Sequence, residues 1–318
     1  MENIKDICII GIFLLILRAG KYIYIMMKLD IVLITYNQAQ YIAQAMDGMM
    51  MQRVNPDVDV RVIVADDASS DDTLAIIHSY EKQSPFPFVY LPAEGNMGHV
   101  LNYKRAFAAC EGDYVAILEG DDWWCNPYHL QKHLDFLDEH RECVLSSASP
   151  YLYSMDTGRF EFAWHPEDKG ETWLITAAEE ATGNKIANLS TCLIRNSALQ
   201  MVCVNESLWQ VNMLDWYMEL LLAELGFLAK HKRSTSVYRV QEAGLWSGLD
   251  KDGQKELILR QINEYDKLLG RRYTKEFDEI RQYYNPLPLS RRQKVKQWCP
   301  PIVIKLLKWL LPKKNIKK

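Results

Sequence analysis

Short apolar runs alternate with amphipathic stretches through the first half of the chain. Asp30 to Thr35 (DIVLIT) is β-rich and reads as a buried strand, closed by Tyr36-Asn37-Gln38. Ala39 to Met51 has helical periodicity, and Asn55-Pro56-Asp57 is a turn. Val58 to Ala65 is a second strand that runs into Asp66-Asp67. Ser69 to Thr73 supplies capping chemistry for a helix over Leu74 to Lys82. Phe88 to Leu91 is a third strand, Asn96 to Gly98 opens a helix that reaches about Cys110, and Tyr114 to Leu118 is a fourth strand ending in Glu119-Gly120-Asp121-Asp122. Alternation of this kind predicts βαβ units and a mostly parallel sheet. In such sheets ligands bind at the carboxyl ends of the strands. Three of the four strands end in Thr35-Tyr36-Asn37, Asp66-Asp67 and Glu119 to Asp122, so these residues are expected at one edge.

The second half is less regular. Leu130 to His140 predicts a helix and Cys143 to Ala148 a strand, while Tyr151 to Ala178 reads as an irregular aromatic loop region. Leu189 to Arg195 and Ser236 to Val240 read as strands, and Leu214 to Leu225 as a helix stopped by Gly226. Three segments follow: a hydrophobic extension over 1–27, an alternating α/β domain over 28–249, and a helical C-terminal extension with a basic tail over 250–318.

Both ends have two readings. Ile7 to Leu17 is apolar but, at about eleven residues, shorter than the roughly 20 needed to cross a bilayer. It is either a start-site artefact before a true start at Met27 or a weak anchor. Ile302 to Leu311, followed by Pro312-Lys313-Lys314, is either an interfacial helix for an anionic membrane surface or a docked terminal helix with a basic end. The interfacial reading places the protein in the cytoplasm, peripheral to the inner face of the cell membrane.

Composition narrows the class. The 318 residues are 48% hydrophobic and 25% charged, as in a globular protein, and the net charge of -4 gives no basic field for nucleic acid. The seven cysteines show no Cys-x-x-Cys pair, which predicts a reducing compartment without disulfides or a zinc site.

The chemistry concentrates at Glu119 to Asp122. Carboxylates crowded at the end of an apolar strand repel, and a divalent cation removes the conflict. Oxygen-only ligands suit Mg²⁺ or Mn²⁺ shared with substrate phosphates. A solvated acidic turn is the plainer alternative. His129 and His133, four residues apart, are read as part of a surface helix, because no Glu follows the first. Gly95 to Gly98 reads as a turn with a helix start, Asp215 taken alone as a helix cap, and Trp123, Trp124 and Trp173 as core packing.

The segments DIVLITYNQAQYI, VIVADDASSDDT, GNMGHVLNYKRAFAACEGDYVAILEGDDWW and VYRVQEAGLWS resemble family 2 glycosyltransferases of the GT-A fold, closest to the bacterial subgroup that builds surface polysaccharides. The resemblance runs from about Leu29 to Gly248. It implies a Rossmann-like, mostly parallel central sheet flanked by helices. It implies a nucleotide-sugar donor, most simply a UDP-sugar, and a glycan or lipid-linked acceptor. Thr35 and Tyr36 would line the nucleotide base, Asp67 would hydrogen-bond it, and Asn37 and Asn96 would complete the donor-binding set. Glu119-Gly120-Asp121 stands where the family carries Asp-x-Asp, so Asp121 would bind the metal, with Glu119 or Asp122 at the ribose or in the metal shell. Asp215 falls at the catalytic base, which implies inversion by a single displacement. Gln241 stands where related sequences commonly carry His, which shifts the expected diphosphate contact to Arg239. The Glu at 119 and the Gln at 241 also leave room for a donor-binding or scaffolding protein with weak turnover.

Overall fold

The β-branched runs form the centre of a computed structural model that describes residues 26–163, 170–186, 188–241, 244 and 246–285. Strands β1 (Met27–Thr35), β2 (Val58–Asp66), β3 (Phe88–Tyr90) and β4 (Tyr114–Glu119) are parallel, with helices α1 (Ile42–Met50), α2 (Thr73–Glu81) and α3 (His99–Ala108) between them. The helix after β4, α4 (His129–Glu139), leads to β6 (Cys143–Ala148). With β9 (Thr172–Ile175), β10 (Cys192–Arg195) and β11 (Phe227–His231) these strands make one eight-stranded sheet, in the order β3-β2-β1-β4-β10-β6-β11-β9. A second sheet of four short strands, β5 (Trp123–Trp124), β7 (Tyr151–Ser154), β8 (Phe160–Phe162) and β12 (Ser236–Val240), stands beside it in the order β5-β12-β7-β8.

The first four strands are apolar on both faces because helices cover both. Leu29, Ile31 and Leu33 pack with Ile42, Met46 and Met49 of α1 on one side. Val32, Ile63 and Ile117 pack with Phe107 of α3 and Leu199 of α6 (Asn196–Cys203) on the other. The close approach of α1 to the second sheet depends on Gly48, where a Cβ would lie 2.6 Å from the Trp124 carbonyl oxygen and 2.8 Å from its nitrogen. α7 (Asp215–Ala223) is buried along most of its length, and α8 (Lys251–Leu268) and α9 (Thr274–Tyr284) close over it. Trp216 and Tyr217 meet Tyr265 at ring-centroid distances of 5.6 and 5.0 Å. The C-terminal helices therefore share the core of the preceding α/β segment.

Three departures from the sequence pattern have physical causes. The described residues between Tyr151 and Ala178 are more regular than that: they hold β7, β8, β9 and the start of the short helix α5 (Ala177–Ala181). β8 is exposed at all three residues, so it carries no inward-outward alternation to read. β11 is five residues long and was hidden by its brevity, although its middle is buried against β6 and β9. Leu189 to Thr191 forms a 3₁₀ turn, and the strand begins at Cys192. The terminal segments read as anchor and interfacial helix lie outside the described residues. Among the described residues no helix is long and apolar enough to cross a membrane.

His129 and His133 do not face solvent. They are 0% and 2% exposed, and the His129 ring stacks on Trp124 at 4.7 Å. His129 Nδ1 meets Thr235 Oγ1 at 2.6 Å, and His133 Nδ1 meets Ser146 Oγ at 2.7 Å. His231 Nε2 reaches the same Ser146 hydroxyl at 2.9 Å. Burial pushes His129 down to about 3, His133 well below the ordinary range and His231 down to about 4.

Two predictions follow from this packing. Gly48→Ala should lower stability by about 1–3 kcal/mol despite the roughly 1 kcal/mol helix advantage of alanine, because the new methyl meets backbone. Urea denaturation checks this. The three buried histidines stay neutral when folded, whereas the unfolded chain takes up their protons below about pH 6.5. Their contribution is thus complete above that value and is lost as pH falls toward the folded-state values. His133→Gln should remove about 1.4 kcal/mol per pH unit of acid sensitivity between about pH 6 and pH 5. Comparing the slopes of variant and parent isolates this effect, because the raised carboxyl groups of the donor edge titrate in the opposite sense.

Candidate functional site

Parallel register brings the polar strand ends together. Thr35 pairs with Asp66, and Ile34 pairs with Glu119. The loops after β1 and β2 are bound to each other through Asn37 and Ser69. Asn37 N donates to Ser69 Oγ, and Ser70 N donates to Asn37 Oδ1, each at 2.8 Å. Gln38 N donates to Thr73 Oγ1 at 2.8 Å and Ala39 N to Asp71 Oδ2 at 3.0 Å. Asn37 (φ 49°) and Ala68 (φ 60°) adopt left-handed conformations to make these turns. Tyr36 is 45% exposed beside them.

Asp67 is 2% exposed and accepts from the backbone N–H groups of Met97 and Gly98, both at 2.9 Å. It fixes the turn that opens α3, where Gly98 has φ 86° and Asn96 is exposed. Arg105 ties the same region together, donating to the carbonyls of Asp66 at 2.5 Å and Pro92 at 2.8 Å. Asn102 donates to the Ala65 carbonyl at 2.8 Å.

The acidic residues after β4 differ sharply in their surroundings. Glu119 Oε1 accepts from Tyr103 Oη at 2.9 Å. Burial, with Asp122 and Asp121 nearby, holds Glu119 well above the usual carboxylate range. Asp122 is 1% exposed, and its two oxygens accept from Asn188 Nδ2 at 2.8 Å and Arg239 N at 2.9 Å. Burial and the neighbouring Asp121 push it up to about 7. Asp121 is half-buried; its Oδ2 accepts from Gln241 Nε2 at 2.7 Å, and burial raises it as well.

Arg239, expected at a diphosphate, has its guanidinium committed within the protein. It is 5% exposed, donates from Nε to the Asp121 carbonyl and from a terminal nitrogen to Gln44 Oε1, both at 2.7 Å. The Tyr41 and Trp123 rings each lie 4.7 Å from it. Asp122 is likewise committed, so a cation contact there would displace Asn188 or the Arg239 amide.

Asp215 is the first residue of α7, preceded by Leu214, and is not the helix cap. Burial raises its carboxyl, while the Trp216 amide and His99 oppose the rise. His99 lies within electrostatic reach of both Asp215 and Asp67 and engages the Asn212 backbone, yet burial lowers it overall. Its Nε2 is buried without a partner among the described residues. Asp215 and Asp121 are both within electrostatic reach of Tyr103, and Asp215 of Glu119, so the expected base lies in the neighbourhood of the acidic cluster.

The donor set fits a hard divalent cation. Thr35 Oγ1, Gln38 Oε1 and Gln241 Oε1 are buried and unpartnered among the described residues. A Cβ at Gly120 would lie 2.4 Å from Gln38 Oε1 and 3.1 Å from Thr35 Oγ1, so the absence of a side chain at 120 keeps this oxygen-lined space. Among the described residues no group of three or more His, Cys, Asp or Glu side chains forms a ready cation cage. A cation would rest on Asp121 and amide oxygens, completed by substrate phosphates.

Gln38, Gln44, His99, Tyr103, Arg105 and Asn188 were not singled out from sequence. Gln38 lay in the strand break, and Asn102-Arg105 has the i, i+3 spacing of a helix face. Asn188 is 66 residues from its partner Asp122, and nothing local signals it.

Residues 30–201 match glycosyl transferase family 2. A protein of Mycobacterium tuberculosis is 31% identical over 229 residues, covering 71% of this chain and 63% of its own length. The chain thus spans less than two thirds of that relative. The structure of S. aureus TarS 1-349 in complex with UDP superposes with a TM-score of 0.57 at 16% identity, covering 89% of this chain and 78% of that one. The mannosyltransferase PcManGT from Pyrobaculum calidifontis, in complex with GDP-Man and Mn2+, gives a TM-score of 0.52 at 14% identity, covering 88% and 78%. Both likenesses establish the shared fold, with its large mostly parallel sheet flanked by helices.

Proposed function

This chain belongs to glycosyl transferase family 2, and on that premise we propose that it is an inverting glycosyltransferase that moves a sugar from a nucleoside-diphosphate donor to an acceptor hydroxyl. The feature that supports this reading is the strand register that sets Thr35 beside Asp66 and Ile34 beside Glu119 at one sheet edge, with Asp121 two residues further on and Asp215 within electrostatic reach of Glu119. The loops at 36–38 and 67–70 form the nucleotide side, where Thr35, Tyr36 and Asn37 would contact the base. Asp67 shapes that side through the turn at Met97 and Gly98, next to Asn96. A UDP-sugar is the simplest donor, supported in kind by the UDP in TarS.

Asp121 would hold Mg²⁺ or Mn²⁺ with the donor phosphates, and the cation would neutralise charge on the departing nucleoside diphosphate. Glu119 and Asp122 shape this corner from behind, and Arg239 positions Asp121 through its carbonyl. Asp215 takes the proton of the acceptor hydroxyl as that oxygen bonds to the anomeric carbon, while the bond from that carbon to the diphosphate oxygen breaks. Attack opposite the leaving group inverts the configuration. Burial keeps Asp215 basic, which suits this task. The acceptor would be a glycan or a lipid-linked acceptor of surface polysaccharide synthesis. The basic tail beyond the described residues would bring the enzyme to the membrane holding such an acceptor.

Incubation with Mn²⁺ and a panel of UDP-, GDP- and dTDP-sugars should release nucleoside diphosphate, and EDTA should abolish the release. Donor binding without any turnover would favour the scaffolding reading instead. Asp215→Asn should leave donor affinity within about twofold and lower transfer by about 10²-fold or more, because the amide cannot accept the proton. Calorimetric donor titration beside a transfer assay checks this, and parallel loss of binding would make Asp215 structural.

A further inference from the structure

The amide of Gln241 is held in place from several directions. Its backbone N–H donates to Ser247 Oγ at 3.3 Å, and Ser247 Oγ donates to the Gln241 carbonyl at 2.7 Å. Two residues earlier, Arg239 is fixed by Asp122, Gln44 and the neighbouring Tyr41 and Trp123 rings. The side chain therefore reaches Asp121 from a rigid base. Its nitrogen satisfies Asp121 Oδ2 at 2.7 Å, and its oxygen is buried with no partner among the described residues. An unpaired buried acceptor is costly, and it marks a place where a donor or a cation belongs. Gln38, on the opposite loop, also favours the ionised Asp121 carboxylate and leaves its own Oε1 buried and unpartnered among the described residues.

We propose that Gln241 selects the cation of this site: its Nε2 holds Asp121 Oδ2 in the free protein, and its Oε1 becomes a hard oxygen ligand when the cation binds. The proposal rests on the donor reading above. An amide offers a donor at one end and an acceptor at the other, separated by rotation about a single terminal torsion. With Gln38 it makes the protein's ligand set one carboxylate and two neutral amide oxygens. Such a set favours Mg²⁺, Mn²⁺ or Ca²⁺. It offers no nitrogen or sulfur to draw Co²⁺, Ni²⁺ or Zn²⁺, whose affinities rise with imidazole ligation. It also adds one negative charge in all, so the cation depends on the donor phosphates for most of its attraction.

The test is calorimetric titration of the full chain with Mg²⁺, Mn²⁺ and Co²⁺ in the presence of UDP, alongside Gln241→His and Gln241→Met. The first variant supplies a nitrogen ligand; the second keeps the volume and removes both amide functions. Gln241→His should raise the affinity for Co²⁺ relative to Mg²⁺ by about tenfold or more. Gln241→Met should weaken all three cations together by about tenfold, with UDP binding measured without cation unchanged. An unchanged Co²⁺ to Mg²⁺ ratio in Gln241→His, or unchanged cation affinity in a folded Gln241→Met, overturns the proposal while leaving the donor reading intact. If the parent protein binds neither UDP nor cation, the donor reading falls and this proposal with it.

Discussion

Three carboxyl groups, Glu119, Asp121 and Asp122, share one pocket of low dielectric at the end of β4, and the surrounding structure answers their mutual repulsion. Each receives a different partner. Tyr103 reaches Glu119 from α3, Asn188 and the Arg239 amide take both oxygens of Asp122, and Gln241 meets Asp121. Asp122 is fully enclosed, whereas Glu119 and Asp121 are half-buried; Glu119 is held by Tyr103, and Asp121 by the Gln241 amide.

The same logic sets the second sheet against the first. Arg239 joins β12 to the Asp121 carbonyl and to Gln44 on α1, while Tyr41 and Trp123 cover its guanidinium. Gly48 lets α1 approach β5 closely enough for that contact. On the nucleotide side, Arg105 and Asn102 bind the β2 carbonyls to α3, and Asp67 draws in the turn at Met97 and Gly98. The site thus rests on helices and strands through short polar links, which limit the reorganisation needed when a ligand binds.

Legibility in the sequence followed the range of the interactions. The first four strands and their helices were readable because their apolar periodicity is local and both sheet faces are covered. The gathering of Thr35, Asp66 and Glu119 at one edge followed from parallel βαβ connections alone. The second half was harder. β8 has no buried face, β11 is short, and β10 enters the sheet antiparallel to both its neighbours. His129 and His133 looked like surface residues from their spacing, but Trp124, Thr235 and Ser146 cover them from other elements.

By itself the sequence determined the alternating architecture, the acidic strand end, the family motifs and the candidate base, because these reside in contiguous residues and in connection rules. Only the tertiary structure decided which carboxyl is enclosed and which are half-buried, that Arg239 braces Asp121 instead of projecting outward, and that two glutamine amides converge on one carboxylate. Those outcomes depend on pairs such as Asp122 with Asn188, Asp121 with Gln241 and Arg239 with Gln44, at sequence separations of 66, 120 and 195 residues. Partners that far apart leave no local pattern; the burial that brings them together is a property of the folded chain.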